Sequence, residues 1–185
     1  MKELQRKAFL LMLLRELKNN GSWGGETHVQ KAVYFLQRLG QVDPGFDFVL
    51  YKHGPYSFDL SDEITSMRAD DYLDLEPRPY PYGPSLGDGS SARLLDAFYM
   101  DEVSACEHAV QTIAKAFDGH GVVELEAWST ALYAKLEEDL PDERVPLRVT
   151  ELKPHIDIEQ AKAATEEMLE IASQFTQSTS CVQLT

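Results

Sequence analysis

The stretch Tyr51-Lys52-His53-Gly54-Pro55-Tyr56-Ser57 decides how this chain is read. Just before it, Phe46, Phe48 and Leu50 alternate with Asp47, Val49 and Tyr51, which is the two-residue period of a strand. Gly54-Pro55 ends that strand, because proline removes an amide donor and fixes φ while glycine accepts turn conformations that other residues avoid. A helix then opens near Ser57 or Asp59, with Leu60, Ile64 and Met67 on its apolar side.

Toward the N-terminus, residues 2–19 place Leu4, Ala8, Leu11, Met12 and Leu14 near helical spacing, with further apolar residues between them. That predicts a helix buried on more than one side, stopped by Asn20-Gly21. Thr27 with Gln30 has the form of a capping box, and Val29, Ala32, Val33, Leu36 and Leu39 mark a second helix ending at Gly40. Toward the C-terminus, residues 72–76 read as a strand. Residues 77–91 hold four prolines, three glycines and two tyrosines, so residues 80–84 read as a hairpin return or an irregular loop.

Helical spacing returns at 101–117 through Val103, Cys106, Val110, Ile113 and Phe117, and at 122–138 through Leu125, Trp128, Leu132 and Leu136. Asp157 and Gln160 cap a last helix carrying Ala161, Ala164, Met168, Leu169 and Phe175. The pattern specifies an α+β fold, mainly α: a helical domain with a small antiparallel β hairpin or sheet and a winged-helix-like N-terminal half. With 185 residues, 43% of them hydrophobic, and no internal repeat, one domain is expected over residues 1–175. It divides into an α/β half at 1–92 and a helical half at 93–175, followed by a polar tail at 176–185.

Charge narrows the partners. Seventeen Lys and Arg against 31 Asp and Glu leave a net charge of −14, spread over both halves. Phosphate binding draws on Lys and Arg displacing counterions, and no basic face is visible to do so. A basic protein partner suits the sign, since complementary fields speed association. The two cysteines say little except by elimination: Cys106, on an apolar helical face, reads as core, a disulfide between it and Cys181 in the uncharged C-terminal stretch stays open with nothing to recommend it, and a reducing cytoplasm fits best. The apolar run at 8–14 is far shorter than a membrane span and is closed by Arg15, Glu16 and Lys18.

Catalytic constellations are sparse. The five histidines form no H-E-x-x-H and no paired ligand spacing, and there is no C-x-x-C, G-x-S-x-G elbow, P-loop or G-x-G-x-x-G. No metal and no cofactor is expected. His53 beside Lys52 and Tyr56 is the one cluster suited to acid–base chemistry, because histidine titrates near neutrality. Set against that, a histidine and a tyrosine at a strand-to-helix turn more often pack their rings or cap backbone groups.

The order of Lys31-Ala32-Val33-Tyr34-Phe35-Leu36 and then Tyr51-Lys52-His53-Gly54-Pro55 resembles the Panacea or SocA-like antitoxin domain of bacteria and their phages. The resemblance rests on "K-x-x-Y-F" at Lys31, Tyr34 and Phe35 and on "Y-K-x-G-P" at Tyr51, Gly54 and Pro55, and it covers roughly residues 4–75. It implies a protein-binding module without an established catalytic set, neutralising a toxin encoded nearby or delivering it to a protease. The motif residues are expected to specify the scaffold, with the Tyr51–Ser57 turn packed against the helix of Lys31–Leu36 because both carry aromatic faces needing burial, and Lys52, His53 and Tyr56 to be available to a partner.

Two alternatives stand beside this one. A winged-helix regulator would bind DNA alone or with a partner, but its third helix would present Asp59, Asp62 and Glu63 against the single Arg68. Helices two and three are also separated by roughly 17 residues, unlike the three-to-four-residue turn of a helix-turn-helix. An enzyme would use Lys52, His53 and Tyr56.

Overall fold

The computed structural model describes residues 1–79 and 83–182, with side chains as far as Thr176. In chain order the elements are α1 (Glu3–Asn19), α2 (Glu26–Arg38), β1 (Val49–Tyr51), β2 (Gly54–Tyr56), α3 (Phe58–Ala69), β3 (Leu73–Glu76), β4 (Ser85–Asp88), α4 (Ala92–Val103), α5 (Glu107–Ala116), α6 (Val122–Leu136), α7 (Val145–Leu152) and α8 (Ile158–Val182). The fold is mainly α with two small antiparallel hairpins, β1–β2 and β3–β4. The elements gather into two compact units, residues 1–48 with 57–119, and residues 49–56 with those from 120 onward.

The first unit is built on α1. Every residue from 7 to 14, and Leu17, is buried, so this helix is apolar all round, as the density of its leucines predicts. α2, α4, α5 and β4 pack on it. The one charge in that run, Lys7, keeps its ammonium satisfied by Asp70 Oδ2 at 2.8 Å, Ser66 Oγ at 3.2 Å and Glu3 Oε1 at 3.2 Å. Arg6 on the neighbouring face donates from Nε and Nη2 to Glu63 Oε2 on α3.

Gln30 does not complete a capping box with Thr27. α2 starts at Glu26 after Gly25, and no side chain caps it. Gln30 is instead buried and makes a two-way bond with the backbone of Ser57: its Nε2 donates to Ser57 O at 2.9 Å and its Oε1 accepts Ser57 N at 2.9 Å. Ser57 Oγ in turn accepts the amide of Leu60 at 3.2 Å as the N-cap of α3. Gln30 thus holds the backbone of the residue that caps α3 from 27 positions away.

β3 and β4 pair from Leu73↔Asp88 to Glu76↔Ser85, which makes the proline-rich stretch between them a hairpin connection, although residues 80–82 lie outside those described. The link between α1 and α2 hangs on this hairpin, with Leu86 N donating to Gly24 O at 2.9 Å and the Ser85 hydroxyl donating to Trp23 O. Helix, extended link, helix, helix and hairpin, with the link bonded to the second hairpin strand, is the winged-helix order.

The helix expected at 101–117 is broken. α4 closes at Val103, a single 3₁₀ turn runs over Ser104–Cys106, and α5 begins at Glu107. Ser104 Oγ donates to Asp101 O at 2.8 Å across this junction, and Val103 and Val110, on either side of it, are both buried. Cys106, in the 3₁₀ turn, sits half-buried rather than in the core, where loss of solvation pushes its thiol pKa up. The side chain of Cys181 lies outside the described residues.

The second unit packs α6 against both α7 and α8, with α7 and α8 also in contact, and carries β2 on α6. α6 opens with Glu124 Oε2 accepting the Gly121 amide at 2.7 Å. α7 has Pro146 in its first turn, where the missing amide costs nothing. α8 has the reciprocal cap anticipated for it, Asp157 N to Gln160 Oε1 at 3.1 Å and Gln160 N to Asp157 Oδ1 at 2.8 Å. Its helical backbone continues to Val182.

Candidate functional site

In the second unit, the hairpin pairs Val49↔Tyr56, Leu50↔Pro55 and Tyr51↔Gly54, leaving Lys52 and His53 as its tip. Neither tip residue takes a positive φ; the left-handed position is Gly54, at φ +84°. That is the turn-plus-bulge form in which glycine is preferred. A second constraint acts on the same atom: a Cβ on Gly54 would lie 2.9 Å from Ser129 Oγ and 3.3 Å from Thr130 Oγ1 on α6. Gly54 is therefore fixed both by the turn and by close approach of the hairpin to the helix.

Beneath the tip lies a buried charge cluster. Lys153, in the turn after α7, is 4% exposed and donates from Nζ to Tyr51 O at 2.8 Å and Lys52 O at 2.6 Å. Its ammonium also sits 3.3 Å from Glu126 Oε1 on α6, whose residue is 3% exposed. His53 Nδ1 approaches Glu126 Oε2 at 3.2 Å, and His155 Nε2 approaches Oε1 at 3.5 Å. One carboxylate thus has an ammonium and two imidazoles around it, and the lysine's hydrogen bonds go to the turn carbonyls. A buried charge needs such pairing, since desolvation otherwise costs several kcal/mol.

The outer surface of the hairpin is different in kind. Val49 is 50% exposed and Tyr51 56% exposed, Lys52 and His53 are exposed, and the Tyr51 and Tyr56 rings lie 5.9 Å apart. Aromatic groups on a rigid support lose little conformational entropy on binding.

For acid–base chemistry, Glu126 orients His53 through Nδ1, the arrangement that would leave Nε2 outward. The hydroxyls on the next turn of α6 do not complete a nucleophile: Ser129 and Thr130 are buried and donate to Glu126 O at 3.2 and 2.7 Å. Among the described residues, no group of three or more His, Cys, Asp or Glu side chains has the geometry to hold a metal ion. In this cluster the Lys153 ammonium already neutralises the carboxylate.

The sequence-derived site residues thus fall into two sets, which corrects the expectation that the Tyr51–Ser57 turn packs on the helix of Lys31–Leu36: residues 49–56 group with the second unit, where β2 lies on α6, and Ser57, at the end of that stretch, is bonded to α2 through Gln30. Tyr51, Lys52, His53, Gly54, Pro55 and Tyr56 share the hairpin. Lys31, Tyr34 and Phe35 are buried in α2 of the first unit, where Tyr34 faces the Phe48 ring at 5.2 Å and Phe35 meets Phe117 edge-on at 5.5 Å. Residue 48 and residue 57 are the points at which the chain leaves and re-enters the first unit, and α2 holds both, through Tyr34 and Gln30. Glu126, Lys153 and His155 are the site residues that sequence reading missed. The available signals were a glutamate inside the apolar run Leu125-Glu126-Ala127-Trp128 and the interrupted basic pair Lys153-Pro154-His155. No family model matches the chain, and no curated protein matches it.

Proposed function

We propose that this chain is a protein-binding, antitoxin-like module of the cytoplasm that engages a basic toxin encoded nearby, neutralising it or presenting it to a protease. The observation that carries this reading is the hairpin tip: an exposed Tyr51-Lys52-His53 surface locked from below by Lys153 and Glu126. A turn whose backbone is held in place presents the aromatic Tyr51 to a folded partner at little entropic cost. The net charge of −14 adds long-range attraction toward a basic one. The resemblance to the Panacea and SocA-like domains points the same way. Among the described residues, no helix is long and apolar enough to cross a membrane.

The winged-helix order of the first unit favours a second reading, a regulator. Asp59 and Asp62 are exposed on α3, and Glu63 is occupied by Arg6, so such a regulator would meet DNA through a basic partner rather than alone.

Co-expression tests the proposal. The product of the adjacent open reading frame is induced alone and together with this chain. Restored growth with the wild type, and loss of rescue by an equally abundant Tyr51→Ser/Lys52→Ala/His53→Ala variant, is the expected result. Rescue undiminished by the hairpin variant would remove the hairpin from the account. A neighbour that is harmless and never co-purifies would remove the antitoxin reading itself.

A further inference from the structure

Within the second unit, α6 and α8 leave an open cavity of about 260 Å³. Val123 and Ala127 from α6, Ala163 and Ala164 from α8 and Ile156 from the preceding turn give it aliphatic walls. Small side chains at 127, 163 and 164 are the reason the helices enclose space instead of filling it. One end is aromatic, formed by Trp128 and His120 with ring centroids 4.5 Å apart.

The rim is anionic, with a glutamate from each helix, Glu124 and Glu167. Glu124 accepts the Gly121 amide and lies 3.2 Å from His120 Nδ1, which holds its carboxyl below the usual carboxylate range. It is therefore a charge at neutral pH. Glu167 is exposed on the facing helix.

These features select an occupant. An anionic ligand would meet two carboxylates and the field of a chain at −14. A wholly apolar side chain would fill the walls but desolvate the rim without compensation. A flat cation on an aliphatic stem suits both parts, because the stem lies on aliphatic carbon while the head stacks on an aromatic ring and donates to carboxylates. Arginine does this better than lysine: its guanidinium is planar, weakly hydrated and able to bond two acceptors at once. We propose that this cavity receives an arginine side chain of the basic protein partner, a binding site separate from the hairpin tip. The inference rests on the protein-binding reading given above.

The test titrates the ¹⁵N-labelled full chain with the peptide acetyl-Ala-Arg-Leu-amide. Parallel titrations use the peptide with citrulline, neutral and nearly isosteric, and with lysine in place of arginine. The expected result is shift changes centred on the amides of Val123, Ala127, Ala163 and Ala164. Affinity should fall at least about tenfold for citrulline, equivalent to about 1.4 kcal/mol, and by less for lysine.

Glu124→Gln/Glu167→Gln, in which glutamine still serves the capping position, should weaken arginine binding without altering the fold. Ala163→Leu, at an exposed position on α8, should block it. Equal binding of the citrulline peptide, full binding by Ala163→Leu, or shifts centred outside these residues would overturn the proposal. Partner experiments separate the two levels. If a captured basic partner binds Ala163→Leu as tightly as wild type, the cavity assignment fails and the protein-binding reading stands. If the peptide seats in the cavity and no protein partner is captured, the cavity stands as a guanidinium site and the partner reading fails.

Discussion

The Lys153 ammonium and the Glu126 carboxylate meet at 3.3 Å with side chains only 5% and 4% exposed, and the same ammonium holds the carbonyls of Tyr51 and Lys52. A buried ion pair therefore supports an exposed hairpin tip. Removing one member strands the charge of the other. Lys153→Met should destabilise the protein by about 3–5 kcal/mol, whereas Lys153→Met/Glu126→Gln should cost clearly less than the sum of the two single changes. Urea denaturation of the four proteins in the cycle measures this coupling. Strict additivity would mean that the pair does not act as a unit.

Gly54 answers to two constraints that can be separated. Gly54→Ala should cost about 1–3 kcal/mol, because alanine is strained at positive φ and its Cβ would press on Ser129 Oγ at 2.9 Å. Ser129→Ala in the same chain should recover the steric part and leave the conformational part. Thermal unfolding of the single and double variants distinguishes them; a double variant no better than Gly54→Ala would assign the whole cost to the backbone.

Acid should loosen the start of α6. Glu124 is held below its ordinary value of 4.5 by the Gly121 amide first and by His120 second. A carboxyl with a depressed folded pKa contributes stability above its unfolded value, and that stability is lost as pH falls through the folded value. Carbon-detected NMR titration of the Glu124 carboxyl should therefore give a midpoint under 4.5, moving upward in His120→Ala but staying depressed through the amide bond. Glu124→Gln should show a smaller loss of stability between neutral pH and acid than the wild type.

Duplex DNA should not bind the isolated chain at physiological salt. Asp59 and Asp62 are exposed on the helix that a winged-helix protein would insert into the major groove, and the chain carries −14 overall. Gel shift on random and promoter DNA checks this. Submicromolar binding that weakens steeply with added salt would promote the regulator reading.

How far the sequence could be read follows from the range of each interaction. The all-round burial of α1, the turn at Gly54-Pro55, the Ser57 start of α3 and the reciprocal cap at Asp157 and Gln160 are local, and local patterns carry them. Gln30 misled because its partner is the backbone of Ser57, 27 residues on, rather than Thr27. The break at Ser104–Cys106 was hidden because the apolar spacing on either side of a single 3₁₀ turn still looks helical. Lys153 and Glu126 were hidden for a stronger reason. Lys153, between helices, reads as solvated surface, Glu126 within α6 has no partner visible in sequence, and what buries Lys153 is a turn 102 positions earlier at Tyr51.

The central claim is that the locked hairpin tip binds a basic protein. Isothermal titration of the purified chain, and of the Tyr51→Ser/Lys52→Ala/His53→Ala variant, with the purified product of the adjacent open reading frame tests it most directly. The expected result is a specific complex with the wild type, affinity that weakens as salt is raised, and affinity reduced by about tenfold or more, about 1.4 kcal/mol, in a variant whose unfolding midpoint is unchanged. Equal affinity of the two proteins for that partner would contradict it.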